Sequence, residues 1–426
     1  MPQNWKTYKL GDFADVQNGY AFKSKDLKDS GIPVIKIKNI ISPNVVLEGA
    51  GYYSGKLDDK LEKYVIKRND FLISMTGSTV NVMSSAVGKM GTYRLDDIAL
   101  LNQRVGKIYI TDNDVADFDY VCYFLNRYEI NYSLALNATG SANQANISPA
   151  QIRDLEILLP PLPEQKAIAQ ILSAIDDKIE NNRAINKTLE EMAMALYKHW
   201  FVDFGPFQDG AFVESELGEI PEGWTTHEFL ELFDLLSGGT PKTTEKDYWN
   251  GKFEWVSAKD IGNSGNIYIN DTEKKITQLG LDNSSTKILP EDSVILVARG
   301  SVGKFGMIAK PMAMNQSCYG VYSKSKYSQA TTYLLIDSLM RHFLNVAYGS
   351  VFDTITTSTF KNIKVLLPPN DVMEKIQKDI NRFFINIKMN IQENQTLTQL
   401  RDTLLPKLIS GEVRLKEFEE KIESAV

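Results

Sequence analysis

Two stretches of the chain place their apolar residues in alternating steps of four and three without a slip. The first holds Ile168, Leu172, Ile175, Ile179, Asn182, Asn186, Leu189, Ala193, Leu196 and Trp200. The second holds Ile376, Ile380, Phe383, Ile387, Asn390, Asn394, Leu397, Arg401, Leu404 and Leu408. This seven-residue rhythm draws a narrow seam along a helix, the seam on which two helices supercoil, rather than the wider stripe of a helix lying on a globular core. Each rhythm follows a double proline, in "DLEILLPPLPEQKAIAQIL" (Asp154–Leu172) and "NIKVLLPPNDVMEKIQKDI" (Asn362–Ile380), where a strand-like apolar run stops. The pattern predicts two long helices, each preceded by a strand.

Both seams carry two asparagines near the middle. A buried amide costs stability unless it meets a polar partner, and its best-attested use is to fix register. Antiparallel pairing that sets Asn182 against Asn394 and Asn186 against Asn390 aligns the remaining layers. Ala193 then faces Phe383, Leu196 faces Ile380, and Leu172 faces Leu404; only Ile175 against Arg401 is a poor layer. At ~1.5 Å per residue, a helix of ~38 residues is about 57 Å long, the length of a spacer.

The chain also repeats itself at an offset of roughly 208 to 222 residues, far beyond a solenoid period. "DFLISMTGS" answers "DSVILVARGS", "AVGKMG" answers "SVGKFG", and "LLNQRVGKIYI" answers "AMNQSCYGVYS", always in the same order. Within each half, "IPVIKIKNI", "FEWVSAKDI", "FLISM", "SVILVA" and the segments around the Asn-Gln pairs read as strands. Asp119–Leu136 and Ser328–Ala347 have helical spacing, with Gly-Ser stops at Gly140-Ser141 and Gly349-Ser350. Val202–Trp224, rich in Gly, Pro and Glu, reads as a linker. The expected organisation is α/β (α+β): two duplicated domains joined by two long antiparallel helices forming a coiled coil, in a pseudo-two-fold arrangement. Its boundaries are 1–160 and 224–368 for the domains, 161–203 and 369–412 for the helices, 204–223 for the linker and 413–426 for a charged tail.

Composition changes this picture little. Hydrophobic residues make up 43% and charged residues 24%, ordinary for a globular protein. No apolar stretch approaches the ~18 residues of a membrane span, and "MPQNWKTYKLGDF" has no signal-peptide core, so no membrane partner is expected. Cys122 and Cys318 are the only cysteines, which fits two buried thiols in a reducing cytoplasm. His199, His227 and His342 share no ligand spacing, so no metal site is expected. The net charge of −7 argues mildly against a simple DNA-binding domain, although a local basic face can sit on an acidic body.

No catalytic residue is expected. "RGSVGKFG" has the wrong glycine spacing for a phosphate loop and no Ser or Thr after Lys304. The "LLPP" pairs lack the preceding Asn or Asp that an adenine methyltransferase motif requires. Glu164-Gln165-Lys166 has a nuclease-like E-x-K shape without an upstream Pro-Asp; a solvated first helical turn, favoured by the helix dipole, is the expected reading.

Over essentially its full length the chain resembles the specificity subunit of type I restriction-modification enzymes. The resemblance rests on the duplicated halves, the "LLPP" junctions and the phrases "LSGGTPKTTEKDYWNGKFEWVSAKDI" and "VARGSVGKFGMIAKPMAMNQS". It implies that each half is a target recognition domain reading one part of a bipartite DNA site, with the paired helices as spacer. It further implies docking of two methyltransferase subunits along those helices, and of restriction/translocase subunits for cleavage. S-adenosylmethionine and ATP would then belong to the partners, with no cofactor here.

Base edges are read by Arg, Lys, Asn and Gln, while hydroxyls and backbone amides hold phosphates. Candidates on loops and strand ends are Lys23, Lys25, Lys36, Lys38, Asn39, Thr76, Ser78, Asn81, Asn102, Gln103 and Arg104 in the first half. The matching places in the second half hold Thr240, Lys242, Lys259, Arg299, Ser301, Lys304, Asn315, Gln316 and Ser317. Any single lysine among them is more often a solvated surface residue. The Asn-Gln pair occurs in both halves and is therefore expected to be structural or to hold phosphate. Differences are the better carriers of specificity, above all the "TVNVMSSA" insertion, whose Thr79–Ser85 is expected to help read one half-site. An acidic adaptor or decoy that binds methyltransferase subunits without reading DNA is the alternative from another class.

Overall fold

The computed structural model describes residues 4–141, 144–263, 266–324, 326–348 and 354–415. The second Gly-Ser stop and residues 416–426 of the charged tail lie outside them. The chain divides into two units, Met1–Asp177 with Leu397–Val426, and Lys178–Thr396. Each unit takes a length of both long helices.

In the first unit, Lys6–Lys9 pairs antiparallel with Glu156–Leu159, the strand that runs into the double proline. A six-stranded sheet has the order Ala14–Asn18, Val105–Ile110, Phe71–Ser74, Met90–Thr92, Asn44–Val45, Ile40–Ile41. A five-stranded sheet runs Leu27–Lys28, Gly51–Tyr53, Ile32–Ile35, Ala99–Leu101, Val65–Ile66. Phe71, Leu72 and Ile73 are fully buried, which is why "FLIS" is a continuous apolar run instead of an alternating one. "IPVIKIKNI" is strand only as far as Ile35; a 3-10 turn at Ile37–Asn39 follows, closed by the Asn39 side chain accepting from Lys36 N. Asp119–Leu136 forms two helices, Phe118–Leu125 and Tyr128–Leu136, because Arg127 takes an extended conformation between them.

The second unit repeats the plan. Thr225–Glu228 pairs with Lys364–Leu367, and a five-stranded sheet runs Phe233–Ser237, Cys318–Ser323, Val294–Val297, Phe305–Ile308, Tyr268–Ile269. "FEWVSAKDI" is strand to Val256 and helix from Ala258. Cys122 and Cys318 are free and buried, each in its own unit.

The linker reading of Val202–Trp224 is corrected. Phe212–Ser215 and Gly218–Pro221 form an antiparallel hairpin, and Trp224 is buried. The rings of Phe201, Phe204 and Phe207 lie 5.4 to 5.6 Å from that of Trp224. Gly and Pro shape turns in this segment, but the aromatic residues between them supply a core, which a flexible spacer lacks.

The long helices are Leu162–Phe201, of 40 residues, and Asn370–Ser410, of 41 residues. Both start immediately after their proline pairs, where Pro161 O accepts from Glu164 N and Pro369 O from Met373 N. They run antiparallel. In the second unit Asn182 Nδ2 donates to Asn394 Oδ1 at 2.9 Å and to Glu393 Oε2 at 2.7 Å, and Asn390 Nδ2 donates to Asn186 Oδ1 at 2.8 Å. Leu172, Ile179, Ile376, Ile380, Ile387 and Leu408 are buried on the seam. The buried stripe is wider than the seam, however. Ala169, Tyr197, Phe201, Met373, Phe384 and Ile391 are also buried, and Phe383, expected in the seam, is only partly so. Tyr197 and Phe201 of the first helix and Met373, Phe384 and Ile391 of the second join the core of the second unit, which requires a second row of apolar positions beside the seam.

The poor layer at Arg401 is resolved by a neighbour outside the seam. Arg401 Nη1 lies 2.9 Å from Asp176 Oδ1, and Asp176 Oδ2 accepts from Tyr123 Oη at 2.7 Å, all within the first unit. Glu164 is also not a solvated first-turn residue. It accepts from Trp5 Nε1 at 3.3 Å and from Arg414 at 2.8 and 3.0 Å, tying the chain's beginning and the residues after the second helix to the start of the first. Among the described residues no helix is long and apolar enough to cross a membrane.

Candidate nucleic-acid interface

One hydrogen-bonded frame is built twice from equivalent residues. In the first unit Met75 N donates to Arg104 O (2.9 Å) and Ile147 N to Met75 O (3.1 Å). In the second, Ala298 N donates to Ser317 O (2.8 Å) and Ile355 N to Ala298 O (2.9 Å). Asn102 N reaches Ile35 O and Asn315 N reaches Val256 O, joining the neighbouring strand to the frame in each case. A short capped helix completes both: Ser148 caps Pro149–Arg153 and Thr356 leads Thr357–Lys361.

The Asn of each Asn-Gln pair belongs to this frame. Val105 N donates to Asn102 O, and Cys318 N to Asn315 O. Glycine is required opposite both carbonyls: a Cβ on Gly19 would stand 2.1 Å from Asn102 O, and one on Gly238 1.8 Å from Asn315 O. Asn315 Oδ1 also accepts from Ser317 N, which turns the loop back on itself. Gln103 and Gln316, one residue further on, are exposed.

Around the first frame lies an open depression of about 330 Å³, walled by Asn18, Thr76, Gln103, Arg104 and Asn146 over a floor that includes Met75 and Ile147. Arg104 Nη1 donates to Thr76 Oγ1 at 3.3 Å, and Thr76 Oγ1 donates to Asn146 Oδ1 at 2.8 Å. Amide and guanidinium groups converging on one open surface form a donor and acceptor set suited to base edges. At the matching corner of the second frame stand Arg299, which bridges Thr354 through the backbone, and the exposed Gln316, with Ser317 beside them.

The structure thus brings together Thr76, Asn102, Gln103 and Arg104 in one unit, and Arg299, Asn315, Gln316 and Ser317 in the other. Ser78 and Ser301 follow on the outgoing strand ends. Ser78 Oγ meets Ser85 Oγ at 2.8 Å, closing the insertion into a loop whose exposed Val80–Ser85 turn carries Asn81. Lys23 precedes and Lys25 lies within a separate turn at Ser24–Asp26, and Lys36 precedes and Lys38 lies within the turn at Ile37–Asn39. Thr240 and Lys242 lie in the loop after Phe233–Ser237, where Lys242 O accepts from Trp249 Nε1. Lys304 is exposed in the turn before Phe305–Ile308.

Two candidates are corrected, Asn39 and Thr76. Asn39 is fully buried, with its amide spent on Lys36 N and Glu48 O, so it cannot reach a base. Thr76 is nearly buried and its hydroxyl is committed to Asn146. Lys259 remains exposed, with its ammonium ion-paired to Glu273, whose hydrogen bond holds its pKa above the usual lysine value. Asn18, Asn146 and Thr354, which carry no motif in the sequence, also stand at the frames. The signal for Asn146 was a strand with polar side chains, Gln144–Asn146, just before a helix cap. Its partner strand, Thr76–Gly77, is some 70 residues away and could not be named from the sequence.

Comparison with known proteins decides the family. The model for the type I restriction modification DNA specificity domain matches twice, over residues 2–191 and 221–399. The chain belongs to this family. The MjaIX specificity subunit of Methanocaldococcus jannaschii is 25% identical over 98% of this chain and 95% of that protein. The EcoBI specificity subunit of Escherichia coli is 24% identical over 96% of this chain and 86% of its own length. The crystal structure of a type I restriction-modification S subunit from M. genitalium shares the fold, with a TM-score of 0.57 at 16% identity, over 95% of this chain and 96% of that one. The chain is therefore a specificity subunit, a non-catalytic component of restriction-modification, with two matched specificity domains in a mixed α/β fold.

Proposed function

We propose that this specificity subunit reads a bipartite, asymmetric target on double-stranded DNA, one part with each domain, and docks methyltransferase subunits on its long helices. The observation that carries the reading is the frame built twice with unlike side chains at its corners. A shared backbone frame gives both domains the same stance on the duplex, while different readers give the two halves different sequences, hence the asymmetry. Docking is supported by apolar residues that the helices leave in water: Ile185, Met192 and Met194 on the first, Ile385, Met389 and Leu400 on the second. Exposed apolar groups at such density mark a surface that a partner covers. Two methyltransferase subunits, and restriction/translocase subunits with them, would bring S-adenosylmethionine and ATP, and their DNA contacts would compensate for the acidic balance of this chain.

The test is methylation mapping in cells with and without the gene, alongside the cognate methyltransferase gene. The expected result is one split motif that vanishes with the gene. An unchanged methylome, together with co-purification of the methyltransferase, would favour an adaptor or decoy that never reads DNA.

A further inference from the structure

The two frames differ most sharply at two facing corners. The residue after Met75 is Thr76, and the residue after its equivalent Ala298 is Arg299. The residue whose carbonyl caps the frame is Arg104 in the first unit and Ser317 in the second. One corner pair is thus Thr and Arg, the other Arg and Ser. Each frame carries one arginine at one of these corners and one small hydroxyl residue at the other, with the two exchanged between strands. In the first unit the two corners are within reach of each other, as the hydrogen bond from Arg104 to Thr76 shows.

Both arginines are exposed, and among the described residues neither forms an ion pair. Arg68, Arg153, Arg183, Arg401 and Arg414 are paired with carboxylates, whereas Arg94, Arg127, Arg341 and Arg382 share the unpaired state among the described residues; what sets Arg104 and Arg299 apart from these four is their place on the frame. Arg104 is held only by a neutral hydroxyl, which orients the guanidinium without cancelling its charge or occupying both of its donor edges. A planar fork of donors with no acceptor matches the paired O6 and N7 acceptors that guanine alone presents in the major groove.

Building on the DNA-reading role proposed above, we infer that Arg104 and Arg299 are the guanine-reading residues of the two half-sites, one guanine each, presented from opposite strands of the same frame. Because the guanidinium comes from the other strand in the second domain, the guanine it reads is displaced within that half-site. Duplicated domains can acquire different sequences by moving one arginine across the frame.

The experiment uses the assembled complex with methyltransferase subunits and DNA carrying the mapped motif. Methylation rates are measured for wild type, Arg104→Lys, Arg104→Ala, Arg299→Lys and Arg299→Ala on duplexes with each motif guanine replaced in turn by 7-deazaguanine. Wild type is expected to lose roughly 5- to 150-fold on one modified guanine in each half-site. Arg104→Ala should show that loss on unmodified DNA and no further loss at one guanine of the first domain's half-site; Arg299→Ala should do so in the other. Alanine should lose the discrimination completely, and lysine, which can reach the same two acceptors without the planar fork, should keep a reduced preference for that guanine. The wild-type measurements need no variant to fold and stand by themselves. Wild type indifferent to every 7-deazaguanine, or losses equal at all bases, would overturn the assignment in favour of phosphate contact. A wild-type complex with no split motif at all would instead remove the DNA-reading role on which it rests.

Discussion

Replacing Arg401 with Leu sets the seam pattern against the packing. By the seven-residue rhythm alone, Arg401 is a misfit among apolar layers, and Leu should stabilise the helices. The structure predicts the opposite. The Arg401 and Asp176 side chains are only 18% and 20% exposed, and they meet at 2.9 Å. Removing one partner of a fully buried pair costs about 3–5 kcal/mol, whereas an exposed pair contributes about 0–1 kcal/mol. Burial by roughly four-fifths places the cost at about 2–3 kcal/mol. Leu recovers about 1 kcal/mol by apolar burial, since the arginine stem already covers part of that surface. The net expectation is a loss of about 1–2 kcal/mol. Adding Asp176→Leu removes the stranded carboxylate, at a cost of about 1 kcal/mol for the lost Tyr123 hydrogen bond, and should return stability to within about 1 kcal/mol of wild type. With two units in the chain a single unfolding free energy is poorly defined, so native-state hydrogen exchange of amides on both helices near this layer is the assay. Greater protection in Arg401→Leu alone, or a double-mutant coupling below about 0.5 kcal/mol, would refute the reasoning.

Other perturbations follow from single contacts. Burial opposes ionisation of Glu254, but hydrogen bonds from Lys310, Thr272 and Lys275 outweigh it and hold its pKa down to about 2. Its folded pKa is below the unfolded value, so its stabilisation is complete above the ordinary carboxylate range and lost as pH falls from there towards 2. Glu254→Gln should therefore cost roughly 1.5–3 kcal/mol at pH 7, the range for hydrogen bonds to a charged group, with the difference shrinking in acid denaturation curves below pH 4. Trp224→Ala should destabilise the second unit by about 3–5 kcal/mol in calorimetry, where a true linker residue would cost nearly nothing. Replacing Thr79–Ser85 by the direct turn of the second half should change the methylated motif in one half only; an unaltered motif in methylome sequencing would exclude the loop from reading.

The duplication, the strand–proline–helix junctions, the antiparallel register through the asparagine layers and the matching places of Asn102 and Asn315 are all legible in the order of residues alone. All of these are carried by periodicity or by short phrases whose order survives without knowledge of contacts. Which polar residues are left open to a ligand is settled by long-range packing. Asn39 and Arg104 are both polar loop residues, yet one is consumed by its own turn and the other faces open space. The difference lies in partners: Thr76 is covered by Asn146 from a strand 70 residues on, and Arg401 is matched by Asp176 from the other helix. Local pattern sets which face a residue takes on its own element, but exposure and charge balance depend on what the rest of the chain brings against that face.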